Sequence, residues 1–149
     1  MSHPDALRHF KEGLELLDSH CPETALARLK QAVELDPANP FYLSYMGLAL
    51  AKAGGKIHDA EKLCDDALGK QGNRAELYLN LAEVYQLGGK KDDAIETLIT
   101  GLRFTRQDAR LVEALDKLGR RQPPVLTFLD RKNILNMKLG KIRYRLSNR

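Results

Sequence analysis

Apolar residues follow a helical period along most of the chain, and small apolar residues recur within that pattern. In the segment 22–37, Ala25, Leu29 and Ala32 fall on one face of an amphipathic helix. Asp36-Pro37 ends this helix, because proline lacks the amide hydrogen of the helical ladder and disfavours helical backbone just before itself. Alanine buries less apolar area than leucine does, so alanines on the buried face need a physical reason.

The spacing Ala-x3-Leu-x2-Ala recurs along the chain as an internal repeat. Its positions return after 35 and then 34 residues, and a small upstream residue keeps similar intervals. Two helices that cross closely leave room only for small side chains, and a stacked array needs such a crossing in every unit. The recurring positions are Gly13, Gly47 and Ala82 in the first helix of each unit, and Ala25/Leu29/Ala32, Ala60/Cys64/Ala67 and Ala94/Leu98/Gly101 in the second.

The turns between these helices match as well. The stretches "KAGGKIHDA" (52–60) and "QLGGKKDDA" (86–94) place glycines where a helix ends and acids where the next one begins. The pattern predicts three helical hairpins with short breaks between their two helices. The hairpins are expected over 6–38, 39–73 and 74–107, with breaks near 20–22, 54–58 and 88–91.

These positions resemble those of the tetratricopeptide repeat family, over about 102 of the 149 residues. The family's unit is a helix–turn–helix of 34 residues. It carries a small residue in its first helix, an Ala-x3-aromatic-x2-Ala pattern in its second and a closing proline, which Pro37 supplies once. The resemblance implies an all-α, right-handed α-solenoid of three units. His9 and Glu12 depart from the pattern, because they stand where the first helix should carry large apolar residues.

The remaining third of the chain predicts two further helices. Residues 108–121 fit a seventh helix, which Pro123-Pro124 stops. In the segment 131–147, apolar residues step by 4, 3 and 4 positions and form a narrow seam. We expect this segment to be a capping helix, because a stacked array leaves its last unit exposed. The predicted division is a solenoid over 1–122 and a connector with a basic capping helix over 123–149.

Charge is distributed unevenly along the chain. Residues 1–102 hold 11 Lys and Arg against 16 Asp and Glu, and residues 103–149 hold 13 against 4. The basic tail predicts a solvated face on the cap, or alternatively an arm that binds nucleic acid or an anionic membrane surface. The acidic repeats argue against a helical array that reads RNA. The tail residues concerned are Arg131, Lys132, Lys138, Lys141, Arg143 and Arg145.

Few motifs in the sequence indicate a membrane segment, a metal site or a catalytic site. No apolar run reaches the roughly 18 residues of a membrane helix, and the N-terminal stretch lacks the apolar core of a signal peptide, so we expect a cytoplasmic protein. Cys21 and Cys64 fit no metal-ligand or disulfide framework. No nucleophile–base arrangement or pair of carboxylates recurs at a useful spacing. We therefore predict no catalytic residues, no metal and no cofactor.

By the resemblance, the first helices of the units line a concave groove that accepts a peptide or helix of another protein. Phe10, Leu14 and Leu17 belong to this groove, or to the core if the misfits at His9 and Glu12 reflect a rotated first helix. The predicted groove residues are Leu7, Phe10, Leu14, Leu17, Phe41, Ser44, Tyr45, Leu48, Ala51, Glu76, Leu79, Glu83 and Gln86.

An adaptor that binds an apolar or amphipathic segment is the function that these residues favour. A module that self-assembles through the groove or the cap seam is the alternative, and binding of nucleic acid or membrane by the tail is the third. One subclass of the family clamps the C-terminal carboxylates of chaperones with Lys, Arg and Asn. The matching positions here are Phe10, Leu14, Tyr45, Glu76 and Asn80, and none fits, so we predict no carboxylate clamp.

Overall fold

The computed structural model of the protein describes residues 3–119, which form an all-α solenoid of antiparallel hairpins with no strand in this range. Each helix packs against the next one along the chain, and α3 also packs against α5. The predicted fold class is confirmed. The helices are α1 (Pro4–Asp18), α2 (Pro22–Leu35), α3 (Pro40–Lys52), α4 (Ile57–Lys70), α5 (Ala75–Leu87), α6 (Lys91–Phe104) and α7 (Ala109–Gly119).

Proline and glycine set the helix boundaries. The helices α1, α2 and α3 each begin with a proline, whose fixed φ suits a first turn where the missing amide hydrogen is not needed. Asn39 precedes α3, and its side-chain oxygen accepts a hydrogen bond of 3.0 Å from the amide of Phe41. Gly54 and Gly89 take positive φ values of 78° and 72° in the turns after α3 and α5. The three predicted breaks are confirmed.

The small residues lie at the helix crossings, as the repeat pattern predicts. Ala25, Ala60 and Ala94 are completely buried. A Cβ added to Gly47 would lie 2.8 Å from the backbone oxygen of Ala60, so α3 and α4 meet almost backbone to backbone. At the equivalent place in the first hairpin, a Cβ on Gly13 would meet only the side chain of Leu29.

The first helix keeps the ordinary orientation despite its misfits. Ala6 and Gly13 are buried toward α2, so α1 is not rotated. Glu12 and His9 instead form a polar cluster with α2, in which Arg28 Nε lies 3.3 Å from Glu12 Oε2. The Nδ1 atom of His9 is buried. It lies 3.9 Å from the same oxygen and has no hydrogen-bond partner within the described residues. The burial of Ala6 and Gly13 thus favours the unrotated helix, although Phe10 and Leu17 pack against core clusters.

The seventh helix closes the described part of the array. Leu111 is completely buried, and Leu115 and Leu118 pack against the same core. A Cβ on Gly101 would lie 2.7 Å from Tyr78 Cγ and 2.9 Å from Leu111 Cδ1, so α6 approaches both α5 and α7 at this point. The end of the seventh helix beyond residue 119, the connector and the expected capping helix lie outside the described residues.

Tyr78 should make the folded protein less stable at alkaline pH. Its hydroxyl donates a 2.6 Å hydrogen bond to the Gly72 carbonyl, and burial raises its pKa from 10.0 to about 12. The folded chain holds this proton more tightly than the unfolded chain does. Its contribution is therefore complete below about pH 10 and lost as the pH rises toward about 12. In urea unfolding at a series of alkaline pH values, we expect Tyr78→Phe to show a shallower decline than the wild type. Equal slopes would contradict this assignment.

Candidate functional site

The first helices of the hairpins, together with α7, form one face of the array. The helices α3 and α5 pack side by side, α1 contacts α3, and α7 contacts α5. By the family resemblance this face is expected to be concave, and we call it the concave groove. The repeat register predicts that the groove residues lie on it, because residues three, four and seven positions apart lie on one side of a helix.

The α1 side of the groove is apolar. Leu7 is 37% exposed, and Leu14 and Leu17 are half-buried. Phe10 is also half-buried, with its ring centroid 4.8 Å from that of Tyr42 and 5.5 Å from that of Tyr45. Phe10 and Leu17 pack against core clusters while part of their surface stays open. Phe10 consequently belongs to the α1–α3 contact, while all four residues keep part of their surface accessible.

The α3 residues in the middle of the groove are less accessible than the sequence predicts. Ser44 and Leu48 are only 0% and 4% exposed, and Ala51 is also buried. Leu48 and Ala51 belong to the core cluster that α3 shares with α4 and α5. The expectation that these three side chains line an accessible surface is corrected: α3 lies between α1 and α5, so its neighbours cover residues that the register alone would leave open. Phe41 stays half-buried, with the Arg74 guanidinium carbon 5.3 Å from its ring centroid.

A polar bridge joins α3 to α5 at the base of the groove. Asn80 Nδ2 donates a 3.0 Å hydrogen bond to Ser44 Oγ, and both side chains are buried. Burial raises the pKa of Tyr45, and the charge of Glu76 raises it further. The hydrogen bond with Asn80 and the charge of Arg110 lower this pKa, and Asp18 adds the smallest rise.

Ion pairs form the rim of the groove on the α5 side. Lys52 Nζ lies 2.8 Å from Glu83 Oε1, and Arg110 Nη1 lies 3.6 Å from Glu76 Oε1. All four side chains are at least one third exposed, so each pair contributes little to stability and remains open to competition from a ligand. Of the other predicted residues on α5, Leu79 is half-buried and Gln86 is exposed.

Lys52 and Arg110 were missing from the sequence prediction of this site, and Asn80 was considered only as a position of the carboxylate clamp. The repeat register contained a signal for two of the three, because Arg110 follows Glu76 by 34 residues and Asn80 follows Tyr45 by 35. Lys52 and Asn80 also differ from the predicted groove residues in one respect. Their roles depend on the partners Glu83 and Ser44, which lie on a neighbouring helix.

The described residues offer no site for metal or covalent chemistry that we can assign. No group of three or more His, Cys, Asp or Glu residues within 3–119 is placed to hold a metal ion. Burial raises the pKa of the Cys64 thiol, so this cysteine stays protonated and packs as a small core residue. No helix of the described range is long and apolar enough to span a bilayer.

Comparisons with known proteins agree with this architecture. Residues 50–118 match the family profile of the tetratricopeptide repeat. The mouse protein "Interferon-induced protein with tetratricopeptide repeats 3" is 37% identical over 83 residues, which are 56% of this chain and 20% of the relative. This chain therefore spans about a fifth of the length of that relative.

Solved structures show the same fold at low sequence identity. The TPR domain of Sgt2 from Aspergillus fumigatus has a TM-score of 0.67 at 19% identity, over 83% of this chain and 87% of that one. The second TPR domain of human RPAP3, solved in complex with an HSP70 peptide, has a TM-score of 0.64 at 20% identity, over 83% of this chain and 100% of that one. Residues 50–118 of this chain therefore match the tetratricopeptide repeat family, and its described helices share the fold of tetratricopeptide repeat domains.

Proposed function

We propose that the protein is a non-catalytic adaptor whose concave groove binds an apolar or amphipathic segment of another protein. The observation that carries this proposal is the apolar stripe of α1, which leaves leucine side chains accessible on the groove face. Tetratricopeptide arrays are protein-binding modules in general, and the second TPR domain of human RPAP3 was solved with a bound HSP70 peptide. A cytoplasmic location stays a prediction from the sequence.

The spacing of the α1 leucines indicates the spacing of apolar residues in the ligand. Leu7 and Leu14 are two helical turns apart, about 10 Å along the axis, and Leu17 follows in the next turn. Phe41 on α3 and Leu79 on α5 extend half-buried apolar surface across the groove. A helix with apolar anchors at i, i+3 and i+7 matches such a surface, as does an extended segment with alternating anchors.

The charges around this surface favour a basic ligand over an acidic one. Glu76 and Glu83 stand at the rim, where Arg110 and Lys52 pair with them, and residues 3–119 as a whole carry a net charge of −4. Asn80 is held by Ser44, and at the positions of a carboxylate clamp the chain offers Phe10 and Leu14 instead of Lys and Asn. We therefore propose an amphipathic partner segment with flanking Lys or Arg, and no capture of an acidic chaperone tail.

The test uses peptides selected on the full-length protein from a displayed library of random 16-residue sequences. We expect Leu7→Asp to weaken the binding of selected peptides at least tenfold, because it places a charge on the apolar stripe. The matched control is Leu35→Asp at the end of α2, where the leucine is 41% exposed against 37% for Leu7. Binding affinities come from fluorescence anisotropy. Peptides that tolerate Leu7→Asp as well as they tolerate Leu35→Asp would overturn the proposal.

Self-assembly remains the second candidate, since exposed apolar side chains also occur outside the groove. Leu87 at the end of α5, Phe104 at the end of α6 and Val112 on α7 are each at least 40% exposed. Light scattering over a range of protein concentrations separates the candidates. A mass that stays at one chain favours the adaptor, and a mass that rises with concentration favours assembly.

A further inference from the structure

The two parts of the chain carry opposite net charge. Residues 3–119 hold 15 Lys and Arg against 19 Asp and Glu, a net charge of −4. Residues 120–149 hold 9 against 1, a net charge of +8. Within the tail, the sequence predicts that Leu135, Leu139, Ile142 and Leu146 form an apolar seam flanked by basic residues. The tail therefore has the composition that the groove favours in a ligand.

We propose that residues 131–147 of the same chain bind in the concave groove, with their leucine seam on the α1 stripe and their basic residues facing Asp18, Glu76 and Glu83. A partner segment then binds only after it displaces the tail. This inference rests on the proposed function of the groove, and it adds an internal competitor for that site.

The lengths of the segments permit this contact. Residues 120–130 follow α7, and 11 residues span at most about 36 Å when extended. Residues 131–147 would form a helix of about 25 Å, from 17 residues at about 1.5 Å each. Four neighbouring helices with axes about 9 Å apart make a groove of about 27 Å. A single tail helix is about as long as the groove is wide, and the connector is long enough for the tail to reach the groove.

The outer face of α7 is the competing site for the tail, and it offers less. Leu111 is buried, and Leu115 and Leu118 are half-buried against the core, as Phe10 and Leu17 are in the groove. Val112 and Phe104 remain exposed, at 40% and 44%. Glu113 is paired with Lys117 on the same helix, at 3.1 Å. Counted in the same way, the groove offers six large apolar side chains that are exposed or half-buried and the α7 end offers four, so we favour the groove over a cap on α7.

Photo-crosslinking of the full chain tests the location of the tail. The variant Leu139→p-benzoylphenylalanine places a photoreactive group in the seam, and mass spectrometry of the irradiated monomer identifies its contacts. We expect crosslinks to α1 and α3. Crosslinks to α6 or α7 would overturn the proposal in favour of a terminal cap. Crosslinks found only in covalent dimers would overturn it in favour of a second copy.

Charge reversal tests the electrostatic part of the contact. We expect the triple change Lys138→Glu, Lys141→Glu and Arg145→Glu to reduce the groove crosslink several-fold at low salt. The matched control reverses three exposed lysines on α2 and α4, by Lys30→Glu, Lys62→Glu and Lys70→Glu, and leaves the crosslink unchanged. Equal losses in the two triple variants would show that only net charge matters and would overturn the assigned contact.

Competition with the library-selected peptide separates this inference from the proposed function. We expect the triple tail variant to bind that peptide about tenfold more tightly than the wild type, because the tail no longer occupies the site in most molecules. Equal affinities would overturn the internal competitor while leaving the groove function intact, provided that Leu7→Asp still weakens binding. If Leu7→Asp has no effect in either background, the proposed groove function fails as well.

Discussion

Replacing Gly47 with alanine should destabilise the protein by about 1–3 kcal/mol, as is usual when a packed contact is overfilled. The added Cβ would lie 2.8 Å from the Ala60 carbonyl oxygen and 2.8 Å from Cys64 Sγ. The oxygen is part of the α4 backbone, so the methyl group fits only if the two helices move apart. The gain of up to about 1 kcal/mol that alanine brings to a helix interior offsets only part of the cost of moving two backbones apart.

Gly69 provides the matched control for this change. It also lies in a helix, but a Cβ there would meet nothing within 4 Å. Gly69→Ala should therefore stabilise the protein, by up to about 1 kcal/mol. Urea unfolding of the two variants measures both changes under the same conditions. Changes of the same sign would show that Gly47 does not mark a close helix crossing.

Leu111→Ala should destabilise the protein by about 2–5 kcal/mol, the range for a buried leucine that leaves a cavity. Leu111 is 0% exposed and joins α7 to the core at the point where Gly101 and Tyr78 meet. The neighbouring Val112→Ala is the control, because Val112 is 40% exposed and its truncation should cost less than about 1 kcal/mol.

Thermal unfolding and amide hydrogen exchange together measure the Leu111 effect. We expect the melting temperature to fall for Leu111→Ala, with faster exchange in α7 as that helix separates from α6. If the two alanine variants melt at the same temperature, α7 is not held by Leu111, and its role in closing the described array is wrong.

The fold could be predicted from the sequence because its signals are local and repeated. The breaks at residues 20–22, 54–58 and 88–91 follow from proline, glycine and first-turn acids. The crossings follow from small residues such as Ala25 and Gly47, which have no better physical explanation in an amphipathic helix. Three copies of one pattern in register make each loose motif reliable, so departures at His9 and Glu12 did not change the outcome.

The groove could be predicted only in part, because accessibility depends on neighbouring helices. The register correctly assigns Leu48 to the same helix face as Phe41, yet Leu48 is buried by the helices beside α3. Pairing between helices is also invisible in a single sequence. Because Lys52 pairs with Glu83, the rim carries less net negative charge than the sequence alone predicts.

Chemical-shift mapping tests the central claim, that the concave groove is the binding surface, more directly than any variant. Isotope-labelled full-length protein is titrated with a library-selected peptide, and the amide shifts of each helix are followed. We predict the largest changes in α1, α3 and α5, with Leu7, Leu14 and Leu79 among the affected residues. Changes concentrated in α2, α4 and α6, with the groove helices unaffected, would contradict the claim.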